Sequence, residues 1–178
     1  MKNIVLGVTG GIAAYKSAAL TSQLVQAGWS VRVIMTENAQ EFVTPLTFQT
    51  LSQNPVATNM FAEHDWRPEH VAIADWAEIA VVAPATANII GKFANGIADD
   101  ALSTFLITFR GKVVLAPAMN PAMYASPAVR RNLEVLAQRG VEFVGPESGH
   151  VACGEPGAGR MSSPDDIFAR IEELSAIS

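Results

Sequence analysis

The sequence predicts a single-domain α/β protein, a doubly wound parallel sheet with helices on both faces. Two observations carry this reading. Short apolar runs of strand length alternate along the chain with helix-compatible segments. The runs are continuously apolar rather than alternating, as strands covered on both faces must be, and they end at glycine, proline or small polar residues.

Asn3 to Val8 is the first such run and leads into Gly10-Gly11. Gly11 to Ala27 reads as a helix closed by Gly28. Ser30 to Met35 is the second strand; Ala39 to Leu51 is helical, broken or restarted at Pro45. Ser52 to Pro68 reads as a long loop, a feature usually functional or mobile in compact domains. His70 to Glu78 forms a short helix before a third strand, Ile79 to Ala83, that stops at Pro84. Helices follow at Thr86 to Phe93 and Ala98 to Phe109. A fourth strand runs from Lys112 to Ala116, a helix from Ser126 to Arg139 and a fifth strand from Val141 to Val144. Gly145 to Arg160, rich in glycine and proline, reads as a loop before a last helix from Pro164 to Leu174. The pattern is Rossmann-like or flavodoxin-like, with no internal repeat.

Composition narrows the class. Across 178 residues, 49% are hydrophobic and only 16% charged, which argues against disorder and points to extra surface hidden in a sheet core or between subunits. The net charge of −5, without a basic stripe, excludes the electrostatic footprint of a nucleic-acid binder. Cys153 is the single cysteine, so no internal disulfide forms and a reducing cytoplasm is expected. No apolar run is long enough for a membrane span, and the N-terminal run is too short for a signal peptide. The expectation is a soluble cytoplasmic protein.

In a doubly wound sheet, ligands bind beyond the carboxyl ends of the strands. Four strand-end segments meet there: Gly10-Gly11, Thr36-Glu37-Asn38, Pro84 to Asn88 and Pro117 to Asn120. Glycines at the first turn let the backbone approach a phosphate, and the helix behind them offers free N–H groups and a positive dipole end. The turn lacks the GxGxxG spacing of dinucleotide sites, so a mononucleotide fits better than NAD. Each element also has a plainer reading. Glycines serve tight packing, Thr86 and Asn88 suit a helix cap, and Asn120 before Pro121 suits an N-cap. Cys153 sits among four glycines, a poor place to bury a thiol and a good one for a lid. The three histidines, His64, His70 and His150, make no zinc pattern with it, and no metal is expected.

Five segments in order, VTGGIAAYK, HVAIADWA, APATAN, APAMNPAMY and ACGEPGAGRM, resemble the homo-oligomeric flavin-containing cysteine decarboxylases over the whole chain. That resemblance implies bound FMN, contacted by Gly10, Gly11, Ile12, Thr36, Glu37, Asn38, Thr86, Ala87, Asn88 and Ala118, with Ser17 a weaker candidate for its phosphate. It implies a catalytic trio of His70, Asn120 and Cys153, with His150 and Ala152 beside the substrate and a flap over about residues 145–162. Tyr124 stands where many relatives carry tryptophan, and Ile89 where some carry threonine. The implied reaction converts 4′-phosphopantothenoylcysteine into 4′-phosphopantetheine for coenzyme A, by oxidation of the thiol to a thioaldehyde, loss of CO₂ and reduction of the enethiol. Assembly from trimers is implied as well. Alternatives within the same fold are a peptidyl-cysteine decarboxylase, a flavin prenyltransferase or a non-catalytic FMN-binding regulatory subunit.

Overall fold

The computed structural model describes residues 2–59, 69–150 and 156–176. Among them, six strands form one parallel sheet in the order β3-β2-β1-β4-β5-β6. The strands are β1 (Lys2–Val8), β2 (Trp29–Met35), β3 (Val56–Ala57), β4 (Ile79–Ala85), β5 (Lys112–Pro117) and β6 (Glu142–Phe143). From β1 the chain winds outward to β2 and β3, then returns to the other side for β4, β5 and β6. The order therefore reverses at the seam between β1 and β4, the switch point where a crevice opens.

Helices cover both faces. In β1, Ile4, Leu6 and Val8 point into one core and Val5 into the other, all fully buried, so the continuous apolar run serves two layers. The first core holds α1 (Ala14–Gln26), α2 (Pro45–Ser52) and α8 (Pro164–Ala176) through Leu20, Leu24, Phe48, Ile167 and Ile171. The second holds α3 (Glu69–Trp76), α4 (Ala87–Asn95), α5 (Ala101–Thr108) and α7 (Pro127–Gln138) through Ile73, Ile89, Ile90, Phe105 and Leu136. Each fully buried Leu, Ile or Phe of this kind contributes roughly 1.5–3 kcal/mol of hydrophobic stabilisation. Gly7 lets α5 approach: a Cβ there would stand 2.6 Å from a Leu102 methyl.

Several sequence expectations shift. The helix expected over Ala39 to Leu51 divides into a 3₁₀ turn, Glu37–Glu41, and α2, which starts at Pro45 because proline's fixed φ suits a first helical turn. The expected loop after Leu51 contributes the edge strand β3, too short to leave a pattern. A five-residue helix, α6 (Pro121–Ala125), precedes α7. The expected loop over Gly145 to Arg160 instead contains an antiparallel hairpin of β7 (Glu147–His150) and β8 (Pro156–Arg160).

Candidate functional site

A cavity of about 530 Å³ opens beyond the carboxyl ends of β1, β2, β4 and β5. The strand-end segments converge on it. Gly10 and Gly11, Thr36, Glu37 and Asn38, Thr86, Ala87 and Asn88, and Ala118 all line its wall.

The first turn is locked to the end of β4. The Thr9 hydroxyl donates to the Pro84 carbonyl at 2.6 Å and accepts from the Thr86 N–H at 3.3 Å. One buried side chain thus spans the seam between the two halves of the sheet. Gly10 packs against the 3₁₀ turn: a Cβ here would strike the Cβ of Asn38 and lie 3.0 Å from its carbonyl carbon. Bare backbone therefore lines this corner. Behind it stands α1, with Thr36 and Thr86 preceding two further helical N-termini in extended backbone. Such convergence favours an anionic group.

Two of the expected contact residues are not part of this cavity's lining. Ser17 is fully buried and its hydroxyl donates to the Ala83 carbonyl at 2.5 Å, away from the cavity wall. Its place on the inner face of α1 makes it a tie between helix and strand. Ile12 is 58% exposed and also stands off the wall.

Asn120 is the N-cap of α6; its Oδ1 accepts the Ala122 N–H at 2.7 Å. This fixes the amide's orientation, carbonyl oxygen toward the helix. The adjoining Ala118 and Met119 line the cavity, so Asn120 follows directly on its wall. The hairpin docks here too. The Met119 N–H donates to the Gly159 carbonyl at 2.9 Å, and Gly157 packs so closely on Pro121 that a Cβ would stand 2.7 Å away. The glycines of this segment thus let a strand lie flat on the Asn120 turn. His70 lies in α3 and His150 ends β7, with their side chains outside the described set. Ala152 and Cys153 lie outside the described residues, within the sequence joining β7 to β8.

Sequence reasoning missed Thr9 and a charged cluster, Lys92, Asp99 and Asp100, on the wall. Lys92, in the last turn of α4, reaches Asp99 at 2.7 Å and Asp100 at 2.8 Å. Burial alone would lower the lysine's pKa, but hydrogen bonds to Asp100 and Asp99 outweigh it and hold it above its ordinary value. Burial would likewise raise Asp100, yet hydrogen bonds from Lys92 and from the Ser103 N–H and hydroxyl hold it below. The available signal was Gly96, which ends α4 in left-handed conformation with φ 72°, followed closely by the acidic pair Asp99-Asp100.

The fold and cavity define an α/β protein that receives a mononucleotide-type ligand at its switch point. A model of the flavoprotein family matches residues 1–175, and the chain belongs to that family. It is 53% identical over 173 residues to the coenzyme A biosynthesis bifunctional protein CoaBC of Bacillus subtilis (strain 168), covering 97% of this chain and 43% of that protein. The chain thus spans less than half the length of the curated relatives it matches. Among solved structures it resembles an FMN-dependent cysteine decarboxylase, SpaF, with a TM-score of 0.84 and 28% identity over 98% of each chain. A PPC decarboxylase mutant complexed with pantothenoylaminoethenethiol shares the fold, with a TM-score of 0.88 and 24% identity over 98% of each chain. Among the described residues, no helix is long and apolar enough to cross a membrane.

Proposed function

We propose that this chain decarboxylates 4′-phosphopantothenoylcysteine to 4′-phosphopantetheine with bound FMN, in the cytoplasm, as a homo-oligomer built from trimers. The names of its relatives support the reaction: CoaBC in coenzyme A biosynthesis, and SpaF as an FMN-dependent cysteine decarboxylase. The observation that carries the reading is Asn120, held by its own cap at the edge of the cavity, with the β7–β8 hairpin docked on its turn.

The cavity residues fit FMN. Its volume lies within the range of small-molecule sites. The bare backbone at Gly10 and the helix N-termini near Thr36 and Thr86 suit the phosphate. Ala118, Met119 and Ile89 offer apolar surface to a ring.

Carbon dioxide departs as its electron pair stays behind, and a plain cysteine amide has nowhere to put that pair. Bound FMN would supply the missing two-electron redox chemistry. Asn120 orients the carboxylate through the N–H donors of a neutral amide. A neutral partner suits a group that must lose its charge, because a strong ion pair would stabilise the ground state. His70 assists the oxidation step by holding or moving a proton, and Cys153 donates a proton as the enethiol is reduced. Residues 1–178 act in this reading as one decarboxylase domain, with residues about 145–162 as the substrate flap. Assembly with other copies is supported by exposed apolar side chains on and around neighbouring α1 and α2, among them Tyr15 at 61% and Leu46 at 68% exposure.

The test is a CO₂-release assay on the purified chain with FMN, comparing phosphopantothenoylcysteine with a peptide ending in cysteine. Preferred turnover of the former is expected. Turnover of the peptide alone moves the chain to the peptidyl-cysteine class, and turnover of neither removes the decarboxylase reading.

A further inference from the structure

We propose that Asp99 is a ligand-contacting residue of the cavity, its carboxylate accepting hydrogen bonds from N–H or O–H donors on the riboflavin portion of the cofactor while Lys92 offsets its charge. The proposal rests on the flavin reading above.

Asp99 and Asp100 are neighbours in sequence with different work. Asp100 is absorbed by the fold: Oδ1 accepts the Ser103 N–H at 2.8 Å as the N-cap of α5, and Oδ2 accepts from Lys92 at 2.8 Å. Asp99 caps nothing. Its Oδ1 receives Lys92 at 2.7 Å and a distant Ser103 hydroxyl at 3.4 Å, and its side chain remains 59% exposed on the cavity wall. Its ion pair with Lys92 serves the fold, yet the side chain still lies on the cavity wall.

A carboxylate facing a cavity that takes a phosphorylated ligand is unfavourable, since like charges within a Debye length repel. Lys92 answers that cost. Its side chain is only 18% exposed, and two carboxylates hold it cationic. An ionised carboxylate accepts hydrogen bonds and donates none, so its partner on the ligand must be a donor. A phosphate dianion has no donor. The riboflavin portion has two kinds, the ribityl hydroxyls and the imide N–H of the ring.

The test measures binding of FMN, riboflavin and lumiflavin, the ring without the ribityl chain, to the full chain and to its Asp99→Ala variant, with the thermal midpoint of each apoprotein. The alanine variant is expected to lose affinity for FMN and riboflavin by the same factor, roughly ten- to a hundredfold for a hydrogen bond to a charged group. Its apoprotein midpoint stays in place, because Asp100 still caps α5. A matching loss for lumiflavin assigns the contact to the imide; unchanged lumiflavin binding assigns it to the ribityl hydroxyls; both uphold the proposal. Unchanged FMN and riboflavin affinity, or a loss for FMN alone, overturns it. Should the alanine variant lose stability, the Asp99→Leu variant, of similar size and without an acceptor, is read by the same criteria. If the unaltered chain binds none of the three flavins, the flavin reading itself fails, a result distinct from either outcome.

Discussion

The Ser17 hydroxyl donates to the Ala83 carbonyl at 2.5 Å, and both residues are fully buried. The bond fastens α1 to the last residues of β4. Replacing Ser17→Ala strands a buried carbonyl, at a cost of about 1–3 kcal/mol. Denaturant unfolding should show that loss, while FMN affinity of the folded protein stays unchanged. Full stability with weakened FMN binding would return Ser17 to a phosphate-binding role.

Gly10→Ala places a methyl group against the Cβ and backbone of Asn38, where no flexible side-chain tip can give way. Overpacking of this kind costs roughly 1–3 kcal/mol. Because the strain falls on two corners of the cavity, FMN affinity should drop by about tenfold or more. Fluorescence titration of a variant with native far-UV circular dichroism checks this; undiminished affinity contradicts the close approach.

Asn120→Asp separates the residue's two roles. Aspartate caps a helix as well as asparagine does, so α6 and the thermal midpoint should survive. A second carboxylate beside the substrate's own should nevertheless cut decarboxylation by roughly a hundredfold or more, as like charges a few ångströms apart repel. Unchanged CO₂ release would end the carboxylate-orienting role.

The Lys92–Asp100 pair sets a direction for stability against pH. Asp100 is held below its ordinary value in the folded chain, so its contribution is present above the unfolded carboxylate pKa and fades as pH falls through the folded one. Lys92 is held above its ordinary value, so its share is lost only in strong alkali. Asp100→Asn should therefore be less stable than the parent at pH 7, with the gap closing once pH drops below about 4. A gap that persists undiminished at low pH would assign the effect to the α5 cap alone.

Legibility in the sequence followed burial. β1, β4 and β5 stood out because nearly every residue in them is buried, leaving unbroken apolar runs. β3 pairs only through Val56 and Ala57, and the hairpin is built on Pro156, Gly157 and Gly159, so neither carries a periodic signal. Gly10, Asn38 and Thr86 were legible as strand-end residues, whereas the burial of Ser17 against β4 was not, because sequence does not say which face of α1 turns inward. Lys92 and Asp99 belong to none of the motifs that mark the site in the sequence. They reach the cavity only because α4 and α5 fold back against each other across Gly96.

Thr9 has a wider consequence. By bridging Pro84 and Thr86 it couples the two halves of the sheet at the seam where the ligand enters. The spacing between glycine turn and β4 corner is therefore set before any ligand arrives. This corner of the site is preorganised, so little conformational entropy of the two turns remains to be surrendered when a ligand settles against them.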